Sequence, residues 1–142
     1  MNVLDANVLL SLARADHSHH PAALAWWEDS TSRGEPFTVP DVMWVAFTRL
    51  STNRRIFSVP STFQQAWAFA ESMTGQPTYL RFGYDADILS EFTRLAREAN
   101  ATGNLTTDAY VAATASALGG AVVTFDRDFR RFDGVRVTEL VG

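Results

Sequence analysis

The sequence predicts an α/β fold, a three-layer sandwich around a mainly parallel central sheet, and three observations predict it. Short apolar runs alternate with longer segments in which apolar residues recur at helical spacing. The first such run, Val3-Leu4, hands over directly to Asp5 and then to a helical pattern, as a strand does in a strand–helix unit. Near the other end, Gly119-Gly120 separates a small-residue helical segment from the β-branched run Ala121-Val122-Val123-Thr124. Strands that alternate with helices pair in parallel and carry the helices on both faces.

Each element follows in order. Val8, Leu9 and Leu12 continue a helix from Asp5. Asp16-His17-Ser18-His19-His20 is a turn, and Pro21 opens a helix through Asp29 with Ala23, Leu24 and Trp27 inward, because proline is tolerated in the first helical turn. Phe37-Thr38-Val39 reads as a short strand. Pro40-Asp41 opens a helix over Val42 to Ser51, and Pro60-Ser61-Thr62 another to Met73 with Phe63, Ala66, Trp67 and Ala70 on one face. Gly75-Gln76-Pro77 breaks it, and Tyr79-Leu80 forms a small strand. Asp85 to Ala99 carries Ile88, Leu89, Phe92, Leu95 and Ala96 at apolar spacing. After the loop Asn100–Asn104, Thr107-Asp108 enters the helix Ala109–Ala115, whose small residues suit close packing on a sheet. Val135–Val137 completes the sheet as an edge strand.

Composition narrows the function. The chain has 142 residues, the size of one domain spanning 1–142, and 46% hydrophobic content, as in a globular protein. No apolar run approaches the roughly 18 residues of a membrane helix, and no basic start precedes an apolar leader; a cytoplasmic protein is expected. Zero Cys excludes disulfides, thiolate catalysis and Cys-ligated metals. All 12 basic residues are Arg, which removes every lysine-based mechanism, Schiff base and Walker-type phosphate binding included. Asp5-Ala6-Asn7 shares a start with the Asp-x-Asp phosphatases, but Asn7 stands for their second Asp and the lysine is missing. A net charge of −4 provides no global attraction for nucleic acid, so a polyanion would need local Arg clusters or a bridging metal.

Three acids share one address. Asp5 follows the first strand, Asp126 follows the strand 121–124, and Asp108 starts the helix that feeds that strand. In a parallel sheet, strand C-termini and helix N-termini lie on one side, where ligands bind. Asp128 follows closely behind Asp126. Like charges at short range repel unless a cation intervenes, and an oxygen-only set favours Mg²⁺ or Mn²⁺. Taken singly, Asp5 and Asp108 also serve as helix caps and Asp126 as a turn residue. His17, His19 and His20 are close enough to ligate a metal, or to cap and line an exposed turn.

Four stretches then carry a resemblance. Leu4-Asp5-Ala6-Asn7-Val8-Leu9-Leu10, Phe47-Thr48-Arg49-Leu50-Ser51-Thr52-Asn53, Leu105–Ala113 and Thr124-Phe125-Asp126-Arg127-Asp128-Phe129, in this order, resemble a PIN domain, and more narrowly a VapC toxin of a bacterial VapBC toxin–antitoxin pair. The resemblance implies a metal-dependent endoribonuclease acting on structured RNA such as tRNA or rRNA, a homodimer, and inhibition by a VapB-type antitoxin. It implies Asp5, Asp108 and Asp126 as catalytic acids and Mg²⁺ ligands (Mn²⁺ can substitute), with Asp128 as an accessory catalytic acid. One position departs. The family usually carries a Glu on the helix 42–51, just before Phe47-Thr48-Arg49; this chain has Ala46, and Asp41, five residues earlier, lies off that helical face. The alternative is therefore a catalytically impaired PIN-fold module that binds antitoxin or RNA without efficient cleavage. Arg49, Arg54 and Arg55 form one basic cluster and Arg127, Arg130 and Arg131 another, suited to phosphate or to a solvated face. Trp26, Trp27, Trp44 and Trp67 fall in helices, as core or dimer-interface residues.

Overall fold

The computed structural model describes residues 1–83 and 85–142. Four strands, β1 (Asn2–Leu4), β2 (Phe37–Thr38), β3 (Ala121–Thr124) and β4 (Arg136–Glu139), form a sheet in the order β2-β1-β3-β4 with every pairing parallel. Six helices flank it among the described residues: α1 (Ala6–Ala13), α2 (His20–Ser32), α3 (Asp41–Ser51), α4 (Phe63–Thr74), α5 (Ala86–Glu98) and α6 (Asn104–Ala117). The predicted α/β class holds.

The two central strands are buried on both faces, which is why they read as unbroken apolar runs: Val3, Leu4, Val122 and Val123 are wholly buried. Their register sets Leu4 beside Val123, and the Asp5 amide donates to the Val123 carbonyl at 3.1 Å. Asp5 and the end of β3 are therefore neighbours at one edge. Helix α2 runs against the strand direction. Ser30, near its end, meets Asn2 at the start of β1, whereas His19, just before it, stacks on Phe125 beyond the end of β3.

Helix α6 lies close on the sheet because Ala109, Val111, Ala112, Ala113 and Ala115 are small and fully buried. It begins at Asn104, earlier than the sequence spacing indicates. Gly103, in a left-handed conformation with φ 56°, turns the chain, the Thr106 hydroxyl donates to its carbonyl, and Leu105 anchors the first turn in the core. Asp108 thus sits in the second turn of α6, and the capping role is excluded by position.

Other boundaries move by a few residues. Helix α4 starts at Phe63 because Thr62 and Gln65 close a capping box. Tyr79 forms only an isolated bridge to Phe37, beside β2. The last strand runs two residues beyond the expected end, to Glu139, paired along all of β3. Glu91, which sequence alone does not place, locks α5 to α6: it accepts from Arg94 and from the Ser116 hydroxyl, and those bonds hold its carboxyl down at about 2. None of the described helices is long and apolar enough to cross a membrane.

Candidate metal centre

The strand β1 ends at Leu4, and Asp5 continues in extended backbone (φ −78°, ψ 155°) before α1 begins. Its Oδ1 accepts from the Ala6 amide at 2.7 Å, so Asp5 does cap the helix. Its Oδ2 faces β3, accepting from the Thr124 hydroxyl at 2.8 Å and from Asn7 Nδ2 at 3.1 Å. The cap and the site are one arrangement.

Thr124, fully buried, is the junction. Its Oγ1 also accepts from Asn7 Nδ2 at 3.2 Å and from the Asp126 amide at 2.9 Å. Asn7 Oδ1 in turn accepts from the Phe125 amide at 3.3 Å. Asp126 caps a short 3-10 turn, Arg127–Arg131, by accepting from the Asp128 amide at 2.8 Å. That turn brings Asp128 back beside Asp126. Asp108 arrives from α6, and one carboxylate oxygen from each of Asp108, Asp126 and Asp128 lies within 4.8 Å of the other two.

The electrostatics match the crowding. Burial raises the Asp5 carboxyl above its usual range against the pull of its hydrogen bonds to Thr124 and Ala6, and the charge of Asp126 adds to the rise. Asp108 is pushed up to about 7, first by burial and then by the charges of Asp5, Asp126 and Asp128. Asp108 therefore feels the three other predicted acids, with Asp128 on the open side and Asp5 at the back. Nothing cationic among the described side chains forms an ion pair with any of them.

Residues 3–135 match the PIN domain family. Ribonuclease VapC31 of Mycobacterium tuberculosis is 45% identical over 136 residues, 96% of each chain, and Ribonuclease VapC25 of the same species is 42% identical over the same share. The chain belongs to the VapC family of PIN-domain proteins. Solved VapC-family structures share its fold: the Rickettsia felis VapBC2 complex superposes with a TM-score of 0.73 at 13% identity, covering 99% of this chain and 98% of that one. Mycobacterium tuberculosis VapC20 does so at 0.68 and 17% identity, over 95% and 96%.

For this VapC-family chain the structure sorts the remaining candidates. Ala46 is half-buried on α3, flanking the inward stripe Met43–Phe47–Leu50. Asp41 is exposed at the start of that helix. Of the three histidines, His17 Nδ1 accepts from the His19 amide at 3.0 Å and His20 Nδ1 lies 2.8 Å from the Ser11 carbonyl, so both hold the turn. The two Arg clusters differ. Arg130 is bound in bidentate fashion by Glu139 at 2.7 and 2.8 Å, with Arg127 3.8 Å from the same carboxylate. Arg49, Arg54 and Arg55 are exposed and form no ion pair among the described residues. Trp44 is core, whereas Trp67 is 38% exposed and stacks on Phe63 at the surface.

Sequence reasoning passed over Asn7 and Thr124. The signal was there: each is a short polar residue two positions from an acid, in Asp5-x-Asn7 and Thr124-x-Asp126, the spacing at which side chains bridge local backbone and neighbouring carboxylates. It also passed over Arg14, which pairs with Asp16 at 2.8 Å, donates to Ser61 and lies 4.0 Å over the Phe57 ring.

Proposed function

We propose that the chain, as a single PIN-like domain over 1–142, is a Mg²⁺-dependent endoribonuclease toxin that cleaves structured RNA such as tRNA or rRNA in the cytoplasm and is neutralised by a VapB-type antitoxin. One observation carries this reading: three carboxylates within 4.8 Å, backed by a fourth, at the strand C-terminal edge of a VapC-family fold. The relatives' names, ribonucleases VapC31 and VapC25, support the activity, and the VapBC complexes among the structural neighbours support the partner.

The donor set fits a hard divalent ion, because every available atom is a carboxylate oxygen and the crowding that raises Asp108 is what a cation relieves. Asp108 and Asp126 would hold it, with Mn²⁺ able to substitute for Mg²⁺. Asp5 accepts three hydrogen bonds out of roughly four acceptor positions on a carboxylate, so one lone pair remains for it to act as a third ligand. Asp128, exposed at the mouth, is an accessory catalytic acid that orients water or substrate. When bound, such an ion supplies a water of lowered pKa and offsets charge developing on the phosphate. Thr124 and Asn7 fix the position of the Asp5 carboxylate behind the cluster.

The chain acts as a homodimer in this reading; Val45 and Trp67, both exposed, line a groove of about 410 Å³ between α3 and α4 that provides apolar surface for a second copy. Ala46 supports a second reading, an impaired module that binds antitoxin or RNA without efficient cleavage, because an alanine there offers no oxygen. Cleavage of tRNA and rRNA in EDTA and after Mg²⁺ is restored separates the two. Mg²⁺-dependent cutting that Asp126→Asn abolishes is the expected result; a parent chain that binds RNA and leaves it intact at every Mg²⁺ concentration selects the impaired module.

A further inference from the structure

His17 and His19 stand just before α2 and His20 opens it, at the same sheet edge as the acids, and only two of the three are accounted for by the turn. His19 differs from its neighbours in what is held and what is free. Its ring lies against Phe125 at 4.4 Å between centroids and 27° between planes, a stacked geometry. Phe125 immediately precedes Asp126, and its amide is held by Asn7, which also bonds Asp5. The His19 amide donates to His17 Nδ1, so the backbone is fixed as well. Gly142 lies so near the ring that a Cβ there would clash with His19 Cδ2 and Cγ. Neither ring nitrogen of His19 has a hydrogen-bond partner among the described residues, and the residue is half-buried, not sealed.

A phosphate chain approaching four carboxylates needs donors close by. Of the cations nearest in sequence to Asp126, Arg130 is paired with Glu139 and Arg127 lies 3.8 Å from the same acid, whereas Arg131 is exposed and forms no ion pair among the described residues. An imidazole carries at least one N–H in either protonation state and can donate to a phosphate oxygen throughout.

We propose that His19, held by its stack on Phe125, is a substrate-contacting residue whose ring N–H binds an RNA phosphate flanking the acidic edge. This rests on the ribonuclease reading. The stack fixes the ring plane, so the donor is positioned before RNA arrives and little side-chain freedom is lost on binding.

The test separates ring from nitrogen. The full chain is titrated in EDTA, where cutting is suppressed, with an end-labelled RNA hairpin of mixed sequence, and melting temperatures are recorded in parallel. His19→Phe keeps an aromatic ring on Phe125 and deletes both nitrogens. It should bind the hairpin about tenfold more weakly, the effect of losing one charge-assisted hydrogen bond, with an unchanged melting temperature. Parent-like affinity in His19→Phe overturns the proposal and leaves His19 as packing. If His19→Phe is itself destabilised, His19→Gln, which returns an N–H donor without the ring, decides: binding above that of His19→Ala supports the contact, and binding equal to it overturns it. A parent chain that neither binds the hairpin in EDTA nor binds or cuts it in Mg²⁺, while Mg²⁺ still raises its melting temperature, overturns the RNA reading and this contact together, and is distinguishable from failure of the contact alone.

Discussion

The Thr124 hydroxyl donates to Asp5 Oδ2 at 2.8 Å, across 119 residues of chain, and so ties the end of β3 to the acid at the end of β1. The same oxygen receives the Asp126 amide. A single methyl-sized polar group thereby sets two of the acids that crowd Asp108.

Replacing that hydroxyl gives the first prediction. Thr124→Val keeps the shape but leaves a buried carboxylate oxygen and the Asp126 amide short of a partner, which costs about 1–3 kcal/mol for such a group. Thr124→Ser restores the donor. Denaturant midpoints should rank Thr124→Ser above Thr124→Val, and only the Ser variant should retain the parent's rise in melting temperature with Mg²⁺. Equal midpoints and equal Mg²⁺ responses in both would show that the hydroxyl does not hold the acids.

The second prediction concerns pH. Asp108 in the folded chain titrates at about 7, above its ordinary 3.8, so the folded state holds this proton longer than the unfolded state does. Its contribution to stability is then full at acid pH and is lost as pH rises from about 4 to about 7. Mg²⁺ needs the carboxylate, so apparent Mg²⁺ affinity should climb over the same window. Melting temperatures in EDTA across this range, parent against Asp108→Asn, isolate the part that depends on Asp108, its coupling to Asp5, Asp126 and Asp128 included. A difference that does not vary with pH would count against the raised value.

Ala46 supplies the third. Ala46 is half-buried, and if the family's usual Glu position carries over to it, Ala46→Glu adds a metal- or water-bound oxygen to the acidic edge. Loss of a supporting group of this kind typically costs about 10- to 100-fold in metal affinity or activity, and its introduction should raise Mg²⁺-dependent cleavage by a factor in that range. Aggregation or unfolding of the variant would make position 46 a packing site. A folded variant no faster than an already active parent, with Asp5→Asn dead, would show that the aspartates suffice.

The fourth separates the two basic clusters. Arg54 and Arg55 form no ion pair among the described residues, whereas Arg130 is neutralised by Glu139. Paired replacement Arg54→Ala and Arg55→Ala should weaken RNA binding and flatten its dependence on salt by roughly one in logarithmic slope per lost phosphate contact. Arg130→Ala should change both far less. Equal effects from the two would mean that Glu139 releases Arg130 to the RNA.

The class of fold and the address of the acids were legible in the chain's local patterns. Val3-Leu4 before Asp5 and Ala121–Thr124 before Asp126 are local patterns, and parallel pairing puts both strand ends on one side. The sequence also exposed the departure at Ala46, which is a matter of identity alone. What each side chain is free to do depends on its neighbours in space. Asp108 lies one turn deeper in α6 than spacing indicates, because Gly103 and Leu105 start the helix early. Asp128 joins the cluster through the Asp126 cap, Arg130 is spent on Glu139, and two of the three histidines are spent on the turn. The physical reason is the register of β1 on β3. Hydrophobic periodicity is a short-range property and tells which face of an element is buried, but the partner of a polar atom is chosen by which strand lies alongside and by how far it has slid, and here that choice set Leu4 beside Val123 and Asp5 under Thr124.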